Sequence, residues 1–200
     1  MKIQIKDLEQ KLNKKIKRNT CSLGLDIAER TGCCFITTNN TYATFDWWCL
    51  EFDKKDIDLV YKEMYNELKL SVSKMKSKLN VVIIEDSFLM RFGKFVQADV
   101  FKKLTRFGTL ALAVCLETNT PYHFILAKSS RAKLKIKMIT GQPKESVANY
   151  LKETFDIQLN DTDASDAIVL GILGLIEDLD FRSESDIKKS KKSTKRKKKK

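Results

Sequence analysis

Acidic residues lie beside apolar runs at three separate places in this chain, and this pattern most limits how the chain can fold. Asp26 interrupts the apolar segment LGLDIA, and Glu85 follows the run VVII. Asp163 and Asp166 begin the segment DASDAIVLGILGLIE. A carboxylate in apolar surroundings loses its hydration unless another group compensates for its charge. Carboxylate-only sites suit hard cations such as Mg2+ or Mn2+, so we expect a fold that gathers these acids around metal ions.

The length and composition predict one domain with a sizeable core. The chain has 200 residues, of which 42% are hydrophobic and 11 are Phe, enough for a single packed domain. No apolar run has the length needed to span a bilayer, and the Lys-rich start lacks the apolar segment of a signal peptide. We therefore expect a cytoplasmic, reducing location.

The cysteines and the single histidine exclude several kinds of site. The five cysteines are odd in number and lack CxxC spacing, which favours small buried side chains over disulfides or zinc ligands. His123 lies in the strand-like segment PYHFIL. No nucleophile motif accompanies it, so a structural or surface role is expected. One histidine also excludes a His-rich metal site.

The positive charge is concentrated at the two ends of the chain. The total is +12, and residues 182–200 contribute +9 while residues 1–20 contribute +5, which leaves −2 for residues 21–181. The body is therefore not uniformly basic. Any nucleic-acid surface on it must be a local patch, and the ends supply long-range attraction.

One such patch is predicted between residues 128 and 144. Six cations occur there with no acid among them: Lys128, Arg131, Lys133, Lys135, Lys137 and Lys144. This segment suits contacts with phosphate; the alternative is a solvated basic loop. A second basic group flanks a long predicted helix, and the apolar side of that helix faces either a second subunit or the core. Its members are Arg91, Lys94, Lys102, Lys103 and Arg106.

The periodicity of apolar residues predicts an α/β fold with a five-stranded mixed sheet flanked by helices. The predicted order is a helix (1–20), a three-strand meander (21–52), a helix (54–79), a strand (80–86), a helix (95–117), a strand (121–127), a short helix or loop (129–138) and two helices (144–155 and 163–179). The first helix packs on the body or on a partner, or is a solvated extension with one apolar side.

This order predicts where the acids meet. The first and fourth predicted strands can lie side by side, which places Asp26 and Glu85 at strand carboxyl ends, where sites of α/β sheets collect. Asp163 and Asp166 share one side of a helix. Two divalent ions bridged by Asp26 would explain the cluster and suit in-line phosphodiester cleavage. Taken singly, Asp166 could balance the helix dipole, Asp163 could be an N-cap and Glu85 a surface acid.

These motifs resemble those of the RuvC-type Holliday junction resolvases, within the RNase H-like superfamily. LGLDIAERTG, VVIIEDSF and DASDA occur in the family's order and approximate separation, over residues 21–177. The resemblance implies an RNase H-like fold and Mg2+-dependent cleavage of four-way DNA junctions by a homodimer that makes paired nicks. Carried over, it implies that Asp26, Glu85, Asp163 and Asp166 are catalytic metal ligands, with Mn2+ able to replace Mg2+.

The resemblance also implies contacts with DNA. In the family, an aromatic residue shortly after the Glu inserts into the junction, and Phe88 matches it as E-x-x-F. A core position is the alternative for this side chain. In the family, basic residues after the fifth strand contact phosphate. In this chain Lys133 and Lys144 match them best, with Arg131 and Lys135 beside them.

The expected organisation is a basic helical extension (1–20), a nuclease domain (21–181) and a disordered Lys-rich tail (182–200). The extension and the tail lie outside the family core. The Lys-rich composition, with seven Gly and two Pro, suggests a phage or viral source. A cytoplasmic location with DNA is expected separately. Two other functions stay open. One is a related nuclease that acts on RNA, hybrids or flaps, and the other is a non-catalytic DNA-binding protein.

Overall fold

The structure, a computed structural model, describes residues 1–52, 56–75, 79–86, 98–159 and 163–181. Within these ranges it describes every side chain except those of residues 98, 99, 101, 143, 144 and 163. Two of the predicted features, Phe88 and the tail of residues 182–200, lie outside the described residues.

The described residues form six strands and six helices. The strands are β1 (Lys2–Gln4), β2 (Cys21–Asp26), β3 (Arg30–Thr38), β4 (Tyr42–Glu51), β5 (Val81–Asp86) and β6 (Tyr122–Leu126). The helices are α1 (Ile5–Leu12), α2 (Ile57–Met75), α3 (Ala98–Glu117), α4 (Ala127–Lys133), α5 (Pro143–Phe155) and α6 (Asp163–Leu175). Among the described residues, no helix is both long enough and apolar enough to cross a lipid bilayer.

The strands form one mixed sheet in the order β1-β4-β3-β2-β5-β6. The β2–β5 and β5–β6 pairs are parallel, and the other pairs are antiparallel. This confirms the predicted α/β fold with a mixed sheet flanked by helices, and it confirms that the first and fourth predicted strands are neighbours. The prediction of five strands is wrong, because the described residues contain six.

The additional strand is β1, which pairs with β4 through Lys2 and Thr44. The sequence pointed to a helix there because Ile5, Leu8, Leu12 and Ile16 repeat at helical spacing. The helix α1 begins only at Ile5, and the strand before it has three residues. So short a strand leaves no periodic pattern, and its pairing with a segment some 40 residues away is invisible to local analysis.

The apolar side of α1 packs on the body of the protein. Ile5, Leu8, Leu12 and Ile16 are all buried, in the same core as the apolar residues of α6. Glu9 holds the end of this segment, because its carboxylate accepts a hydrogen bond from the Ile16 backbone N–H at 3.0 Å and pairs with Arg18 at 2.9 Å. Of the three expectations for this segment, packing on the body is the one observed.

The sheet separates two hydrophobic cores. Alternate residues of β2 point to opposite sides, as strand geometry requires. Leu23 and Leu25 lie in the core formed with α2 and α3, whereas Ser22 and Gly24 contact α6. Asp26 continues the second series, so its side chain lies on the α6 side of the sheet.

Small residues let α6 pack unusually close to β2. A Cβ atom on Gly24 would lie 2.1 Å from the Ala167 carbonyl oxygen and 2.4 Å from the Gly171 nitrogen. A Cβ atom on Gly174 would lie 2.6 Å from the Ser22 Cβ. Contacts this close leave no room for a Cβ atom at Gly24 or Gly174, so they fix the position of α6 over the strand that carries Asp26.

Candidate active site

Three carboxylates from distant parts of the chain meet at one edge of the sheet. Asp26 ends β2, Glu85 lies near the end of β5, and Asp166 lies in the first turn of α6. Each offers an oxygen atom, and these oxygens all lie within 4.8 Å of one another. Asp166 is only 4% exposed, and the other two are half-buried.

The register of the central strands explains why two of these acids are neighbours. β2 and β5 are parallel, with Leu25 opposite Ile84. The next residue in each strand is Asp26 and Glu85, so both acids fall at the same carboxyl edge. Ile83 packs in the α6 core, and strand alternation puts Glu85 on that same side. The close packing of α6 then brings Asp166 over both.

Asp163 begins α6, one turn before Asp166. Residues three apart in a helix lie on neighbouring parts of its surface, which agrees with the expected sharing of one side. Its side chain is not among those described, so its place in the cluster stays a prediction.

Arg131 enters the cluster from α4. Its Nε atom donates to Asp166 Oδ1 at 3.0 Å, and its Nη2 atom donates to Asp166 Oδ2 at 2.6 Å. Burial acts to lower the pKa of the Arg131 guanidinium, but the hydrogen bonds to Asp166 and the charges of Asp166, Glu85 and Asp26 outweigh it and raise the pKa. The arginine is therefore a permanent cation, and it neutralises part of the acidic cluster.

The donor set of this cluster fits a hard divalent cation. Asp26, Glu85 and Asp166 offer only carboxylate oxygens, the ligands that Mg2+ and Mn2+ prefer. Three carboxylates face one guanidinium, so the described part of the cluster keeps an excess of negative charge. This arrangement could hold a metal ion, and Arg131 is the group with which such an ion would compete.

The basic residues after β6 are divided between contacts within the protein and exposed positions. Lys133 donates to the backbone carbonyl oxygen of Asp180 at 2.5 Å. Lys128, Lys135 and Lys137 are exposed, and the side chain of Lys144 is not described. The proposed contacts of these residues with DNA stay predictions, as does the role of Phe88.

The second basic group is only partly described. Lys103 pairs with Glu29, which follows β2 closely, while Lys102 and Arg106 are exposed. Arg91 and Lys94 lie outside the described residues. On the same helix, the core-facing side is formed by Phe107, Ala111 and Val114, whereas Val100 is 50% exposed.

The cysteines and the histidine are not among the residues that could hold a metal ion in the described cluster. Burial raises the pKa of the Cys33, Cys34 and Cys115 thiols, that of Cys115 to about 11, so these thiols stay protonated at neutral pH and are poor nucleophiles. His123 lies on β6, and its ring stacks on Phe181 with centroids 4.2 Å apart. Partial desolvation, with a smaller contribution from the charge of Lys17, lowers the pKa of this histidine.

Sequence reasoning missed two features of the site. The role of Arg131 as partner of Asp166 was hidden, because a basic run gives no sign of which cation turns inward. The close packing of α6 on β2 could, in contrast, have been predicted from the sequence. Gly171 and Gly174 are spaced like one side of a helix, and Ser22 and Gly24 alternate in a strand. Matching small residues of this kind predict close packing.

Comparison with known proteins identifies the fold. No family model and no curated protein sequence matches the chain. Among solved structures, RuvC of Thermus thermophilus in complex with a Holliday junction substrate matches with a TM-score of 0.61 and 11% identity, over 76% of this chain and 90% of that one. A second Thermus thermophilus RuvC structure matches with a TM-score of 0.58 and 12% identity, over 76% and 92%.

A eukaryotic structure matches as well. The yeast mitochondrial Holliday junction resolvase Ydc2 aligns with a TM-score of 0.53 and 13% identity, over 82% of this chain and 81% of that one. At sequence identities this low, the structural similarity establishes a shared fold and nothing more. The chain therefore has the RuvC-type resolvase fold that its acidic motifs predicted.

Proposed function

We propose that this protein is a metal-dependent DNA endonuclease that resolves four-way junctions by paired cleavage of phosphodiester bonds. One observation carries the proposal: Asp26, Glu85 and Asp166 converge within 4.8 Å at one edge of the sheet. The resolvase fold supports it, because the same fold occurs in RuvC bound to a Holliday junction substrate. A purely DNA-binding protein has no use for such a cluster, since carboxylates repel phosphate unless cations intervene.

In this proposal, Asp26, Glu85, Asp163 and Asp166 hold two Mg2+ ions, which Mn2+ can replace. Asp26 ends β2 and is proposed to be the bridging ligand, while Glu85 and Asp166 come from β5 and α6. When bound, such ions supply an activated water and stabilise the leaving oxygen of a phosphodiester. The sheet and the closely seated α6 hold the carboxylates in place, so little reorganisation is needed during the reaction.

Cations of the segment after β6 would bind the scissile strand. Arg131 lies in the acidic cluster itself. The exposed Lys128, Lys135 and Lys137 lie close to it in the chain and are proposed to extend the positive charge outward from the catalytic edge. Lys133 and Lys144 are proposed to add phosphate contacts. Such contacts position the strand without reading its sequence.

Two further features complete the proposal. Phe88 is expected to contact bases at the branch point, since it follows Glu85 by three residues. Paired nicks on a four-way junction need two active sites, so the protein is proposed to act as a homodimer, located with DNA.

The test is cleavage of a synthetic mobile four-way junction with Mg2+ or with EDTA, mapping both nicked strands. Duplex DNA and an RNA–DNA hybrid of matched sequence are the controls. Symmetric, Mg2+-dependent nicks on the junction alone are expected. Preferred cleavage of the hybrid would assign the protein to the related nucleases that act on RNA. Binding of the junction without cleavage under any divalent ion would leave only a DNA-binding function.

A further inference from the structure

The pair formed by Arg131 and Asp166 occupies both oxygen atoms of a proposed metal ligand. The guanidinium donates from Nε to one oxygen and from Nη2 to the other, at 3.0 and 2.6 Å. The two side chains are only 17% and 5% exposed. A bidentate ion pair between largely buried groups is among the stronger polar contacts in proteins, because little water competes with either partner for its hydrogen bonds.

This geometry conflicts with simultaneous binding of a divalent ion. An ion bound by Asp166 would need one of the oxygens that the fork of Arg131 engages. It would also bring two further positive charges to the neighbourhood of the guanidinium, and like charges repel strongly where water is scarce. Release of the arginine from Asp166 is thus a natural part of ion binding.

Removal of the arginine without a replacement has a cost as well. Asp26, Glu85 and Asp166 lie within 4.8 Å of one another, and all three interact electrostatically with the Arg131 guanidinium that would be lost. Carboxylates this close cannot all stay ionised unless positive charge is supplied. The folded protein must therefore either keep a cation at this edge or take up a proton there.

We propose that Arg131 is a tethered counter-cation, which holds Asp166 while the site lacks a divalent ion and exchanges with that ion when it binds. The inference rests on the proposed metal-dependent function and adds a regulatory step to the same site. Arg131 thereby keeps the acidic edge folded and, in the same act, weakens its affinity for metal. The site is filled only when the free divalent ion is abundant enough to displace the arginine.

The exchange of Arg131 for a divalent ion can be tested by calorimetric titration of the protein with Mn2+ in the absence of DNA. Arg131→Gln removes the competing charge and fork, and we expect it to bind Mn2+ about tenfold more tightly than the wild type. Arg131→Lys keeps the charge but loses the fork, so its gain should be smaller but measurable. Lys62→Gln removes the same charge from an exposed position on α2, and this control should bind Mn2+ like the wild type.

Thermal unfolding in EDTA supplies a second reading. Arg131→Gln should melt about 5 °C below the wild type, because its acids lack their counter-cation. Saturating Mn2+ should then raise its melting temperature by more than it raises that of the wild type. If Arg131→Gln does not fold in EDTA, Arg131→Lys carries the test alone, since it keeps a cation in the cluster.

The outcomes separate this inference from the proposed function. Equal or weaker Mn2+ binding by both Arg131 variants would overturn the exchange and leave Mg2+-dependent cleavage untouched. Tighter binding by Arg131→Gln with unchanged binding by Arg131→Lys would also overturn it, because charge rather than occupancy of Asp166 would then set the affinity. No Mn2+ binding by any form would remove the metal site, and both proposals with it.

Discussion

The Ser22 hydroxyl donates a hydrogen bond to the Gly171 carbonyl oxygen at 2.6 Å, across 149 residues of sequence. This contact joins the strand that carries Asp26 to the helix that carries Asp166. Ser22 and Gly171 are buried, and the helix lies so close to the strand that Gly24 has no room for a side chain. The close packing of small residues between β2 and α6 therefore sets the position of Asp26 relative to Asp166.

Replacement of Gly24 by alanine should disrupt the close packing of α6 on β2. The new Cβ would meet the backbone of Ala167 and Gly171, which cannot turn aside as a side chain can. We expect a loss of about 3 kcal/mol in the free energy of unfolding, with weaker Mn2+ binding because α6 shifts. Gly108→Ala in α3 is the matched control, since its nearest atom would be 3.9 Å away, and it should be neutral or stabilising. Equal stability of the two variants, by urea denaturation, would contradict the account.

Asp26→Asn should keep the fold and junction binding but lose cleavage. The amide has nearly the same shape, whereas it carries no charge for a divalent ion. We expect the Mg2+-dependent cleavage rate to fall by about a thousandfold, measured with junction in excess. Asp46→Asn on β4, an exposed position of the same sheet, should cleave normally. Persistent Mg2+-dependent nicking by Asp26→Asn would rule out the proposed site.

A double-mutant cycle should show strong coupling between Arg131 and Asp166 in the absence of metal. Each alanine substitution alone leaves a charged partner in a poorly hydrated place, and the double variant removes both charges. We expect a coupling free energy of about 2 kcal/mol in EDTA. The pair of Arg30 and Glu51, whose side chains are 40% and 70% exposed and 3.5 Å apart, should couple by less than about 1 kcal/mol. Similar coupling in both pairs would show that burial adds nothing.

Glu9→Gln should destabilise the protein in a way that depends on pH. The backbone N–H of Ile16 and, more weakly, Arg18 stabilise the ionised Glu9 and lower its pKa. A lowered carboxyl pKa means that this stabilisation is complete above the ordinary value and is lost as pH falls through the folded value. We expect a deficit of about 1 kcal/mol at pH 7 that shrinks as the pH falls below the ordinary carboxyl pKa of 4.5 and is lost below the lowered pKa of the folded state. Thermal unfolding across this range measures it, and a deficit that persists at low pH would refute the charge effect.

Truncation after Phe181 should weaken DNA binding without slowing catalysis. The removed residues 182–200 carry a net charge of +9, while Phe181 and its stacking on His123 are kept. We expect affinity for duplex and junction to fall at least about tenfold, with a shallower salt dependence. Cleavage at saturating junction should be unchanged. A tail of scrambled sequence should restore binding, since net charge rather than order is proposed to act.

Much of the fold was predictable because its elements have strong periodic patterns. The apolar run of β5 and the apolar segment that Asp26 interrupts in β2 indicated buried strands, and the spacing of Val60, Met64, Leu68 and Val72 indicated α2. The strand β1 was not predictable, since three residues hold no periodicity and their pairing with β4 depends on the folded sheet.

The acids of the site were predictable for a physical reason that does not apply to their partner. A carboxylate beside an apolar run is costly, so Asp26 and Glu85 stood out from the sequence. Arg131 lies in a run of cations in which a solvated position is the ordinary expectation. Its inward turn follows from the placement of α4 against α6, which is a property of the tertiary structure.

The order of the elements along the chain has a consequence for biosynthesis. Residues 163–175 are made after every strand of the sheet, yet they fill the seat on β2 and bring Asp166. A polypeptide still emerging from the ribosome can pair its strands, but it cannot assemble the acidic cluster until this helix docks. In the proposed function, the nascent enzyme is thus harmless to nearby DNA until residues 163–175 have been made and α6 has docked.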